Sequence, residues 1–146
     1  MRRSVIVFVV AGLSLAGVWQ AGATTNAKVT KLEASLKGTN ERPAAAASNK
    51  GKVELRVTAA TGRVCWEFKL GKIDGKPNQA HIHKGGKAVA GNVVVPLGAS
   101  YKRQGCTTAK KALVKSILNK PGAYYVNVHN AKHPLGAMRG QLARGA

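Results

Sequence analysis

The sequence predicts an all-β domain, an antiparallel β-sandwich or barrel of about seven to eight strands with one α-helix near residues 107–119. Three observations carry that expectation. Apolar and polar residues alternate at period two over most of the chain, turn-forming residues separate the alternating runs, and only one segment has helical spacing. Strands alternating regularly with helices would have indicated a parallel sheet instead, and that pattern is missing.

The elements follow in chain order. Arg2 and Arg3, an apolar stretch from Val5 to Trp19 and the small residues Ala21-Gly22-Ala23 predict a signal peptide over residues 1–23, cleaved after Ala23. The apolar stretch is short for a bilayer-spanning helix and is interrupted by Gly12, Ser14 and Gly17, so no transmembrane segment is expected in the mature chain. No cysteine flanks the cleavage site to accept a lipid, and Arg2-Arg3 hints at twin-arginine export. Residues 24–28 form a polar linker, and the domain proper occupies 29–146. Its first strands carry Leu32, Ala34 and Leu36, then Val53, Leu55, Val57 and Ala59, then Val64, Trp66, Phe68 and Leu70. Thr61-Gly62 supplies a hairpin turn, whereas Gly38 to Gly51, rich in Ala, Asn and Pro, is expected to be a mobile loop. A turn-rich connection from Gly71 to Asn78 delivers the chain into a short strand, Ala80 to His83, which Gly85-Gly86 ends. Asn92 to Leu97 forms another apolar strand. The period then changes: Leu113 with Ile117 and Val114 with Leu118 make one helical stripe, with Thr107 or Thr108 as N-cap and Pro121-Gly122 as the stop. Ala123 to His129 and Ala137 to Leu142 are the last strands, joined by a loop carrying His133-Pro134 and Gly136.

Composition narrows the function. The chain holds 24 Lys and Arg against 5 Asp and Glu, a net charge of +19. The cations are scattered singly or in pairs from Lys28 to Arg144, with no run, helical stripe or aromatic-interleaved patch, so nucleic acid is not the expected partner. Outside the cytoplasm such a surface serves solubility or a salt-sensitive association with an extracellular protein or an anionic envelope polymer. Cys65 and Cys106 are the only thiols; in an oxidising compartment an even pair reads as a disulfide, closing a loop of roughly forty residues worth ~4 kcal/mol, against the alternative of two free thiols.

Enzymatic chemistry finds little material. Ser35, Ser48, Ser100 and Ser116 lack a nucleophile-elbow context, and Gly85-Gly86 opens no helix that would cradle phosphate. The acids Glu33, Glu41, Glu54, Glu67 and Asp74 all lie in the N-terminal half and are expected to be solvated strand-face or turn residues, too few to orient a histidine or to work as a carboxylate pair. The chain is therefore not expected to be an enzyme.

The histidines are the exception. On a strand, His81 and His83 share one face while Ala80 and Ile82 take the other; Tyr125, Asn127 and His129 likewise oppose Tyr124, Val126 and Val128. If the β-branched faces form the core and the two strands are neighbours, three imidazoles converge. Such a set suits one Cu or Zn ion, because neutral imidazole ligates both and rigid strands hold the angles. The reading favoured by the residues alone is plainer: the rings hydrogen-bond to backbone groups and to Asn127, Gln141 or Asn130, pinning loops at one end of the barrel with no cofactor. Arg139 follows the same logic. Grouped by parity with Asn127 and Gln141, it bridges the C-terminal strand to a loop carbonyl or recognises a carboxylate or phosphate on a partner. Trp66 alternates with Val64 and Phe68 and belongs to the core.

Taken in order, three strings resemble the CHRD (chordin-type) domain family of small exported or extracellular modules. They are Leu36-Lys37-Gly38-Thr39-Asn40-Glu41-Arg42-Pro43, then Ala80-His81-Ile82-His83-Lys84-Gly85, then Tyr125-Val126-Asn127-Val128-His129 followed by Pro134-Leu135-Gly136-Ala137-Met138-Arg139-Gly140-Gln141-Leu142. The likeness spans Val29 to Leu142. It departs from the family pattern at Ala44, where a second proline is usual, and at Met138, where a glutamate often precedes the arginine; the second change removes a carboxylate that would neutralise Arg139 or join a metal shell. The resemblance implies a secreted or envelope-associated all-β binding or structural module and no particular reaction. The string from Ala80 to Gly85 is also similar to the copper-ligand strand of copper–zinc superoxide dismutase, but that enzyme needs further histidines and an aspartate, and here only His133 and Asp74 remain.

Overall fold

A computed structural model describes residues 27–146; the expected signal peptide and the start of the linker lie outside them. Alternation produces nine antiparallel strands: β1 (Val29–Lys37), β2 (Lys50–Thr58), β3 (Arg63–Leu70), β4 (Pro77–Lys84), β5 (Val93–Pro96), β6 (Gln104–Thr108), β7 (Tyr124–Asn130), β8 (Met138–Gln141) and the two-residue β9 (Ala143–Arg144). They form one sheet in the order β5-β4-β7-β8-β1-β2-β3-β6, with β9 pairing β1. The sheet is nearly closed into a barrel. Its two edge strands approach across a gap bordered by Val95, Pro96, Thr107 and Leu113. Among the described residues the one α-helix, α1 (Lys111–Asn119), packs Val114, Ile117 and Leu118 into the core. Among the described residues no helix is long and apolar enough to cross a membrane.

The inward parity gives the core. Leu32 with Leu55 and Trp66, and Ala34 with Val53 and Phe68, meet across β1, β2 and β3, while Ile82, Val126 and Met138 complete the layer from β4, β7 and β8. Cross-strand pairs of large apolar side chains are what stabilise such a sheet. The disulfide forms between Cys65 and Cys106, which stand directly opposite each other in β3 and β6.

Two expectations fail. The helix does not begin at Thr107: residues 104–108 are β6, and α1 starts four residues later with Lys110 at its N-cap and no side-chain cap. The β-branched Thr107 and Thr108 and the half-cystine at 106 pair with β3 instead. Nor is the segment from Gly38 to Gly51 a mobile loop. Its ends are tied by Gly38 N–H to Asn49 O at 2.9 Å, Ala45 N–H bonds Gly38 O at 2.9 Å, and Asn49 is fully buried, donating from Nδ2 to Asp74 Oδ1 at 2.8 Å and Ala137 O at 3.1 Å. Alanines and prolines that look uncommitted in sequence are here draped over the sheet.

Candidate functional site

The outer face of β4, β7 and β8 holds the site. Register sets His81, Asn127 and Arg139 in one row and His83, Tyr125 and Gln141 in the next, with His129 opposite Gln79. Ala80, Ile82, Val126 and Val128 face the core. The outer face is not left to solvent. All seven residues of β7 are buried, because loops fold over it: residues 85–91 over Tyr125 and His83, residues 38–42 over Arg139, and residues 133–136 over His129.

Each of two imidazoles has one nitrogen fixed by a carbonyl. His83 Nδ1 lies 2.8 Å from Gly91 O and His129 Nδ1 lies 3.0 Å from Pro134 O. A carbonyl only accepts, so both nitrogens carry the proton and both Nε2 atoms present lone pairs. His83 Nε2 is buried and has no hydrogen-bond partner among the described residues. His129 Nε2 stands 3.1 Å from His81 Nδ1 and 3.1 Å from the Asn127 side-chain amide, which with this tautomer turns its N–H to that lone pair. The three rings offer ligand atoms that all lie within 4.8 Å of one another. Burial is the main reason that all three imidazoles resist protonation. His81 is pushed down to about 4, with the neighbouring His129 and His83 adding to the effect, and His83 and His129 are also lowered. His83 is further stacked on Tyr125, centroids 4.8 Å apart and 11° from parallel.

Arg139, 2% exposed, is spent inside the protein. It donates from Nε to Asn40 O at 2.6 Å, from Nη1 to Val89 O at 2.9 Å and from Nη2 to Lys87 O at 2.7 Å. Its guanidinium also sits 4.5 Å over the Tyr125 ring. Gln141 donates from Nε2 to Gly85 O at 2.9 Å and Gly122 O at 2.8 Å. These two side chains therefore clamp residues 38–42 and 85–91 to β8, and Asn127, paired with Arg139 in the same row, is 1% exposed.

One acid departs from the expected solvated strand-face or turn setting. Glu41 is not solvated: it is 3% exposed and lies 4.0 Å from Arg139 Nε. It supplies the carboxylate missing at Met138, whose side chain is in the core. Burial pushes the Glu41 carboxyl up to about 7, with Arg139 and Arg42 pulling the other way. Asp74 occupies a turn as expected but is a hydrogen-bond hub, accepting from Asn49 Nδ2 and Asn130 Nδ2 and lying 2.8 Å from His133 Nε2. The His133 contact is the largest influence holding its carboxyl down at about 2. In the fold Gly136 makes room for this residue: a Cβ there would collide with the Glu41 carboxyl. Pairing of the two strings is not visible without the fold.

A nearly closed antiparallel barrel, with loops clamped over one flank by a buried arginine and its glutamate, defines the class of module. The sequence matches the CHRD domain over residues 32–142, and the chain belongs to that family. The matched span contains the whole clamp and all three clustered histidines. No curated protein and no solved structure matched the chain.

Proposed function

We propose that this CHRD module works outside the cytoplasm as a non-enzymatic metal-binding protein, taking one Cu or Zn ion on His81, His83 and His129. The observation that carries the reading is the orphan lone pair of His83 Nε2, buried beside two other imidazoles with its own Nδ1–H already committed to a backbone carbonyl. Metal-ligating histidines characteristically donate their second ring nitrogen to a carbonyl or carboxylate, which fixes the tautomer and raises ligand basicity. If the rings served only to pin loops, the Nδ1 bonds would be explained, but a buried acceptor would be left without a donor, at a cost of about 1–3 kcal/mol. Resistance to protonation helps too, because protons then compete weakly for the ligands. The extracellular setting is supported by the family and by the Cys65–Cys106 bridge.

Calorimetric titration of Zn²⁺ and of Cu²⁺ into tag-free protein tests the reading. One ion per chain is expected. His81→Ala removes a ligand while leaving both backbone ties intact, so it should weaken binding at least about tenfold with the folded state preserved. Metal in hundredfold excess over its Kd should stabilise the native protein by about 2.7 kcal/mol. Absence of any heat at micromolar metal removes the proposal.

A further inference from the structure

We infer that the groove adjoining the clamp, over the outer faces of β1, β2 and β3 and bordered by Arg139 and Gln141 of β8, is a binding site for an anionic polysaccharide; this goes beyond the metal reading and does not depend on it. The groove has a volume of about 620 Å³, within the range of ligand sites. Folding gathers there what the sequence scatters: Lys37, Lys52 and Lys69 from the strands, Arg42 and Lys87 from the loops along the rim. Among the described residues the ion pairs are Arg56–Glu54, Arg103–Glu67, His133–Asp74 and Arg139–Glu41. Of the six cations lining the groove, Arg139 is held by Glu41, and the other five, Lys37, Arg42, Lys52, Lys69 and Lys87, are without a carboxylate partner within 4.0 Å among the described residues. Lys52 stands directly opposite Lys69, and Lys37 opposite Lys50, arrangements that repel and weaken a sheet unless an anion offsets them.

The floor tells what kind of anion. Glu33, Glu54 and Glu67 form a single register row across the three strands, and Ser35 lies opposite Lys52 in the adjoining row. Carboxylates and a hydroxyl accept hydrogen bonds from sugar hydroxyls, whereas a row of carboxylates repels a continuous phosphate backbone. Among the described residues no aromatic side chain lines the groove. Bases of single-stranded nucleic acid thus find no stacking platform. A polymer rich in hydroxyls and bearing spaced carboxylates fits both rows: its acidic groups meet the lysines and its hydroxyls meet the glutamates.

The test uses end-labelled decamers in which glucuronate alternates with a neutral N-acetyl-hexosamine, with a neutral glucan decamer and oligo-dT of the same length as comparators. Saturable, salt-sensitive binding of the uronate is expected, with the neutral glucan unbound and oligo-dT weaker. Lys52→Glu with Lys69→Glu should weaken uronate binding about tenfold. Lys110→Glu with Lys115→Glu changes net charge equally but outside the groove, and should leave affinity within about twofold. Both lysine pairs are exposed, and thermal melts check that the variants fold; Lys87→Glu, in a loop, provides an independent groove variant. Equal weakening by both double variants, oligo-dT binding as tight as the uronate, or no saturable uronate binding would each overturn the assignment.

Discussion

Gly136 shows how two strings far apart in sequence are made for each other. Its φ of +143° is one that side chains rarely adopt, and the missing Cβ leaves room for the Glu41 carboxyl. Gly136→Ala should cost about 2–3 kcal/mol, seen as a lower urea midpoint. Combining it with Glu41→Ala should cost less than the two changes summed, since the obstructing carboxyl is gone. Glu41 also has a pH signature. Its carboxyl titrates near 4.5 in the unfolded chain and near 7 in the fold, so between those values the native state holds a proton that the unfolded state has released. Its contribution is fully present below pH 4.5 and is lost as pH rises through 7, up to about 3 kcal/mol. Glu41→Gln, permanently neutral, should therefore be more stable than the parent at pH 8 by urea unfolding; equal midpoints at that pH would show that the buried carboxyl carries no such penalty. The sequence could not disclose this residue's burial, because an acid followed by Arg42-Pro43 reads as a turn until its contact with residue 136 is known.

At the scale of elements, period-two reading found β1 to β4 and the face shared by the histidines because their alternation is unbroken. It missed β6 for a reason lodged in one pair. Gly105 faces Trp66 across the ladder, and a Cβ at 105 would lie 2.6 Å from Trp66 Cζ2. The indole fills the space of both side chains, so β6 lacks an inward apolar residue where the pattern needs one. Thr107 and Thr108 then looked like helix caps. The disulfide was legible from cysteine count, but its place was not: it crosses between directly opposed residues of β3 and an edge strand, with Arg63 Nε 3.3 Å from Cys65 Sγ and Nη2 3.3 Å from Cys106 Sγ. With the two cysteines 41 positions apart, Cys65→Ser combined with Cys106→Ser should lower unfolding free energy by about 4 kcal/mol in the chain-entropy account. Chemical denaturation with and without reductant measures it. A loss close to zero would mean that β-pairing already restrains the unfolded chain there.

For the whole molecule, the loops decide what a strand face becomes. Strand parity correctly separated the imidazoles from the apolar layer, yet it carried no information on what covers them, and covering is what changes their chemistry. His83 and His129 are 8% and 9% exposed on a face that parity alone would leave wet. Their burial predicts an acid limb in stability. His81 titrates near 6.5 unfolded and near 4 folded, with His83 and His129 displaced the same way. As pH falls below 6.5 the unfolded chain takes up protons that the fold refuses, so stability present above 6.5 is lost progressively toward pH 4. After allowance for solvent screening, His81 should account for about 1–2 kcal/mol of it. Glu41 acts in the opposite direction between pH 4.5 and 7, so the two partly cancel and the parent profile is flatter than either group alone would make it. Variants separate them: in chelator, His81→Asn should reduce the loss of stability between pH 6.5 and 4.5, and Glu41→Gln should increase it. Zn²⁺ added to the parent should raise stability above pH 6.5 far more than at pH 4.5, because ligand protonation releases the ion. An acid limb unchanged by either substitution would mean that neither buried group governs how this barrel responds to protons.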